Sequence, residues 1–114
     1  MFDFQKLTVY QKAKVFNAES KRLINEKSLG RIVNDQLSRA SFSIALNIAE
    51  GSGRFTNKDR RNFFIIARSS VFECVAILDI LHDDNTIEKS EFENFQTMAD
   101  ELSRILYAMI KNLS

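Results

Sequence analysis

No proline occurs anywhere in the 114 residues, so no position lacks an amide proton or forces a helix to break. Only Gly30, Gly51 and Gly53 punctuate the chain. Long helices are therefore the elements this sequence permits most readily, and its apolar spacing agrees. From Phe4 to Ile24, the residues Leu7, Tyr10, Val15 with Phe16, Ala18 and Leu23 recur at spacings of three to five, with Asp3 placed to cap the start. A second helix is predicted from about Arg31 to Glu50, with Leu37, Ala40, Ile44 and Ile48 on one stripe and Gly51 as its stop. The stretch from Gly51 to Asn57 reads as a flexible turn, and Thr56 with Asp59 as a capping pair opening a third helix. That helix carries Phe63, Ile66, Ala67, Ser70, Val71, Cys74, Ile77, Leu78 and Leu81. Asp83-Asp84-Asn85 interrupts the pattern, and a fourth helix from near Glu88 carries Phe92, Phe95, Met98 with Ala99, Leu102, Ile105 with Leu106, and Met109. No strand-like alternation competes.

Helices of about 20 to 25 residues are roughly 30 to 38 Å long, and short connections force neighbours to lie antiparallel. The expected fold is all-α, an antiparallel up-and-down four-helix bundle forming one domain over residues 1–114. A chain of this length buries roughly two thirds of its unfolded surface and needs no metal or disulfide to hold a core. No apolar run approaches the roughly 18 residues of a membrane span. Residues Met1 to Lys14 interleave charge with apolar positions, unlike a signal peptide, so a cytoplasmic, reducing setting without membrane contact is expected.

The chemistry available is narrow. One thiol, Cys74, and one imidazole, His82, cannot build a Cys/His zinc site, and no disulfide can form within the chain. Cys74 lies in an apolar run and reads as core; His82 falls where a helix C-terminus favours a partly charged ring. Asp79 and His82 have the spacing of one di-iron half-site, but such a site needs two copies and further carboxylates. No cofactor, metal site or catalytic residue is assigned, and a non-enzymatic protein is expected.

Charge is more informative. Residues 1–68 hold 13 Lys and Arg against 6 Asp and Glu, a net +7, whereas residues 69–114 hold 3 against 9, a net −6. The near-neutral total of +1 conceals this split, which allows a polyanion on one side or head-to-tail self-association. Both surfaces could equally be solvated, since salt screens such charge within about 8 Å. On the second helix Gln36, Arg39, Ser43, Asn47 and Glu50 form a polar file, while Ser41 to Ala49 contains no charge. A helix so free of charge is expected to be covered on most sides, which favours a homo-oligomer. Covered polar groups need partners, so Asn47, Glu50, Arg68 and Glu73 are expected to form a buried or interfacial polar network. The Gly51–Asn57 loop has two readings: a plain turn, or a phosphate cradle in which Arg54 and Lys58 add charge to a helix N-terminus. Phe55, Phe63 and Phe64 could stack on unpaired bases or belong to the core.

The run from Gln36 to Arg54, QLSRASFSIALNIAEGSGR, resembles the central motif of the bacterial 23S rRNA intervening-sequence proteins. Leu7 to Ala13 and Phe63 to Glu73 resemble that family's first-helix and third-helix motifs, so the resemblance spans nearly the whole chain. It implies an antiparallel four-helix bundle, assembly into homopentameric rings, and kinship with accessory proteins of retroelements that bind nucleic acid and a reverse transcriptase. The family name records a genomic location within rRNA genes rather than an activity. The combined expectation is a pentameric scaffold that binds RNA or a nucleic-acid-processing protein. Its candidate phosphate contacts are Arg39, Arg54, Lys58, Arg60, Arg61, Lys12, Lys14 and Lys21. The alternative is a protein-interaction module with no direct contact to nucleic acid.

Overall fold

The computed structural model describes residues 1–114. A short 3-10 turn, Asp3–Lys6, precedes α1 (Thr8–Glu26), α2 (Arg31–Ser52), α3 (Asn57–Asp83) and α4 (Lys89–Asn112). Each helix packs on its chain neighbours and α1 closes against α4, with no close approach between diagonal pairs. This is the antiparallel up-and-down bundle that the sequence predicts, measuring 44 × 25 × 22 Å.

The core is a seam of residues at three- and four-residue spacing, each large side chain contributing about 1.5–3 kcal/mol by leaving water. On α2 the buried stripe contains Leu37, Ala40, Ile44 and Ile48, as expected. On α3 Phe64 takes the core position and Ile66 is exposed, while Ala67, Val71, Cys74, Leu78 and Leu81 are buried. Phe16 of α1 meets Phe95 of α4 edge-to-face at 5.7 Å, tying the last helix to the first.

The first helix departs from its sequence reading. Its buried side is Val9, Ala13, Phe16, Ser20 and Leu23, while Val15 and Ala18 face water. Ser20 obscures this four-three-four-three pattern because its hydroxyl looks polar in sequence. In the core it donates to the Phe16 carbonyl at 2.9 Å, which removes most of the cost of burying it. Asp3 does not cap α1. It lies in the 3-10 turn, and α1 starts after Leu7 without a side-chain cap.

Gly51 is not a stop either. The helix continues to Ser52 with Gly51 buried, and a Cβ there would stand 2.7 Å from Phe64 Cε1 and 2.9 Å from Phe63 Cβ. The glycine is what lets α3 cross α2 closely. The other two turns use backbone conformations suited to their residues, with Gly30 at φ 90° opening α2 and Asn85 at φ 64° before α4. Thr56 Oγ1 accepts the Asp59 amide at 3.1 Å, as the capping pair predicts.

Candidate functional site

Antiparallel packing brings the start of the chain, the α2–α3 turn and the end of α4 to one end of the bundle. Four cations of the turn and the first turn of α3 gather there: Arg54, Lys58, Arg60 and Arg61. Arg54 lies 4.4 Å over the Phe63 ring and is 3.9 Å from Glu50, a loose exposed pair. Arg60 Nε donates to the Arg54 carbonyl at 2.6 Å, which braces the turn. Arg61 reaches Ser114 Oγ at 3.5 Å. Lys58, Arg60 and Arg61 have no carboxylate within ion-pair distance. The first amides of α3 open beside them, with Asp59 as the one acid in that turn. Lys6 and Lys111 belong to the same end; only the topology, not their sequence separation, identifies them.

The aromatics of this region divide cleanly. Phe64 is core, Phe63 lies half-buried beneath Arg54, and Phe55 is 99% exposed. Of the three, Phe55 is free to stack on a base. Nearby, a cavity of about 670 Å³ is lined by Phe2, Phe4, Leu7, Arg60, Phe64 and Met109 among others. The glycine-rich cradle is not formed, because Gly51 and Ser52 are helical and Ser52 Oγ is spent on the Ile48 carbonyl at 2.8 Å. What remains of that reading is the cationic turn and the helix N-terminus.

The other basic candidates lie elsewhere. Lys12 pairs with Glu101 across α1 and α4, and Lys14 stands 5.1 Å over the Tyr10 ring. Lys21 on α1 and Arg39 on α2 are exposed and outside the cluster. The charge split between sequence halves meets across one seam of the bundle. Basic α1 neighbours acidic α4, where Lys27 also pairs with Glu91 at 3.4 Å. Polarity runs instead along α3, from Lys58, Arg60 and Arg61 at one end to Asp79 and Asp83 at the other.

The polar file of α2 is also resolved differently. Ser43 Oγ meets Ser70 Oγ of α3 at 2.9 Å, and Asn47 Nδ2 donates to the Ser43 carbonyl at 2.8 Å and to its hydroxyl at 2.9 Å. This neutral set links the two helices. Glu50 and Glu73 are exposed and stay outside it, so Asn47, Glu50, Arg68 and Glu73 make no common network within one chain. The reason is direction: Arg68 faces α4, donating from Nε to the Ser103 carbonyl at 3.2 Å, with Phe72 and Tyr107 rings 4.8 and 5.4 Å away.

Burial pushes the Cys74 thiol up to about 12, Glu73 adding to the effect, so it stays protonated at neutral pH. The His82 ring lies parallel to Phe92 at 5.0 Å in the last turn of α3. No three His, Cys, Asp or Glu side chains are grouped to hold a metal ion, and no helix is long and apolar enough to cross a membrane.

Comparison with known proteins agrees with this architecture. A crystal structure of a protein of unknown function from the S23 ribosomal protein family of Bacteroides thetaiotaomicron superposes with a TM-score of 0.85 at 21% identity, covering 91% of this chain and 99% of that one. At that identity the likeness establishes the bundle. No curated protein matches the chain. The family model described as 23S rRNA-intervening sequence protein matches residues 5–108, which take in α1, α2, α3 and most of α4. The chain belongs to the 23S rRNA-intervening sequence protein family.

Proposed function

We propose that this protein is a non-enzymatic, cytoplasmic helical scaffold that self-assembles, with the five copies its family resemblance implies, and binds single-stranded RNA through the α2–α3 end of the bundle. The observation that carries the RNA reading is the set of cations Lys58, Arg60 and Arg61 without carboxylate partners beside the bare ring of Phe55. Cations that track phosphates and an aromatic ring that stacks on a base are the two parts that sequence-tolerant single-strand binding needs. Self-assembly is supported by large apolar side chains left facing water on α2, α3 and α4, including Phe42, Leu46, Phe72 and Tyr107. That same surface favours the second reading, a protein-interaction module whose charges only set assembly.

Fluorescence anisotropy with a mixed-sequence single-stranded RNA at low salt separates the two. The scaffold reading expects binding that weakens steeply with salt and is reduced at least tenfold by Lys58→Glu with Arg61→Glu. Absence of binding at low salt, or indifference to those reversals, leaves the interaction module.

A further inference from the structure

Two exposed strips on the side of the bundle carry matching charges. On α2, Arg39, Phe42, Leu46 and Glu50 occupy one outward file, with Phe42 54% and Leu46 46% exposed. Between α3 and α4 runs a groove. Its first part, about 470 Å³, is lined by Ile65, Arg68, Ser69, Phe72, Tyr107 and Ile110. Past Phe72 it continues into a hollow of about 370 Å³ that includes Ala76, Asp79 and Asp100. Arg68 is half-buried here against two aromatic rings, yet no carboxylate of its own chain pairs with it. Asp79 likewise has no cation, and neither has Arg39 an anion.

The spacing of these groups is equal. Arg39 and Glu50 are eleven residues apart, as are Arg68 and Asp79, so each pair spans about 16 Å of helix. Both helices run from cation to anion. A parallel meeting would therefore set Arg39 against Arg68 and Glu50 against Asp79, whereas an antiparallel one sets Arg39 against Asp79 and Glu50 against Arg68. Between the charges, Phe42 and Leu46 would meet Phe72 and the small residue Ala76.

We propose that the outer face of α2 docks antiparallel into the α3–α4 groove of a second copy of this chain, resting on the self-assembly proposed above and assigning its interface. The two surfaces differ, so the contact is head-to-tail and leaves one free face of each kind at the ends of any open assembly. Because α2 and α3 are also antiparallel within each copy, successive bundles point the same way. All α2–α3 ends then share one rim, and the cations of Lys58, Arg60 and Arg61 are presented once per copy on the same side, which multiplies their hold on one RNA strand. Arg39 becomes an assembly residue instead of a phosphate contact.

Two variants test this by native mass. Arg39→Glu with Leu46→Glu removes the α2 face, and Phe72→Glu with Asp79→Arg removes the groove. Each alone is expected to be monomeric, and their mixture is expected to give a capped dimer of twice the monomer mass, because each retains one intact face. Should either double variant lose its helical circular dichroism, the exposed single reversals carry the test. Arg39→Asp and Asp79→Arg each weaken assembly at least tenfold, and combining them in one chain restores it. A parent protein that is monomeric at every concentration overturns self-assembly itself. A parent that assembles while the folded variants assemble equally well overturns this docking alone. Monomeric variants that fail to pair on mixing, together with a charge swap that restores nothing, overturn the head-to-tail contact.

Discussion

The two ends of the bundle are built from the same parts, helix termini and short turns, but the apolar residues of their turns are treated differently. At the end formed by the α1–α2 and α3–α4 turns, Lys27 pairs with Glu91 at 3.4 Å and Arg22 with Glu26 at 3.0 Å. The apolar turn residues there, Leu29 and Ile87, are buried as plugs under the helix ends. At the α2–α3 end, Lys58, Arg60 and Arg61 meet no carboxylate, and the apolar turn residue Phe55 stands in water. An apolar turn residue that is buried closes a bundle. One that is bare beside unpaired cations buries nothing in its own chain, and this difference is why RNA binding is proposed for the α2–α3 end.

The largest expected effect lies in the plugs. Ile87→Ala should cost about 2–5 kcal/mol in denaturant unfolding, since Ile87 is 3% exposed, whereas Phe55→Ala should stay within about 0.5 kcal/mol. Equal costs would erase the distinction between the ends. Gly51→Val should destabilise by about 1–3 kcal/mol, because its added carbons meet Phe63 and Phe64 where α2 and α3 cross. A melt matching the parent would mean that the close crossing is not needed.

Charge reversal sharpens the comparison from the binding side. Lys58→Glu with Arg61→Glu should lower single-stranded RNA affinity at least tenfold and flatten its salt dependence, while Lys27→Glu at the opposite end should leave both unchanged. The last effect is confined to high pH and concerns Cys74, on the buried side of α3. Its folded thiol is held up to about 12, above the ordinary thiol value of about 8.5, so the folded state binds the proton more tightly. The associated stability is complete below about pH 8.5 and is lost as pH rises toward 12. Thermal melts across that window, compared with Cys74→Ala, check the sign.

Most of the fold was legible in the spacing of apolar residues. The stripes of α2 and α4 needed nothing else, and Thr56 announced the start of α3 through a local hydrogen bond. The first helix was misread because Ser20 pays its polar debt to its own preceding turn, so its burial leaves no mark in composition. Gly51 was misread as a stop because its role depends on the ring of Phe64, a partner on another helix. The candidate site was legible only in part. Arg54, Lys58, Arg60 and Arg61 are neighbours in sequence and stay neighbours in space, but Lys12 and Lys14 are engaged by Glu101 and Tyr10. Asn47 bonds locally to Ser43, but the partner of Ser43 was out of reach because it lies on another helix. A hydroxyl of α3 completes their set, while charged Glu50 and Glu73 turn to water.

RNA binding at the α2–α3 end, as proposed, can be tested directly. Its most direct measurement is the affinity of the assembled protein for a mixed-sequence single-stranded RNA across a salt series, with Phe55→Ala measured alongside the parent. The account predicts a log–log salt slope of about 0.7 per phosphate contact, and for Phe55→Ala a loss of about 1–3 kcal/mol at an unchanged slope. Binding that is absent at low salt, or equal in parent and Phe55→Ala, would contradict it.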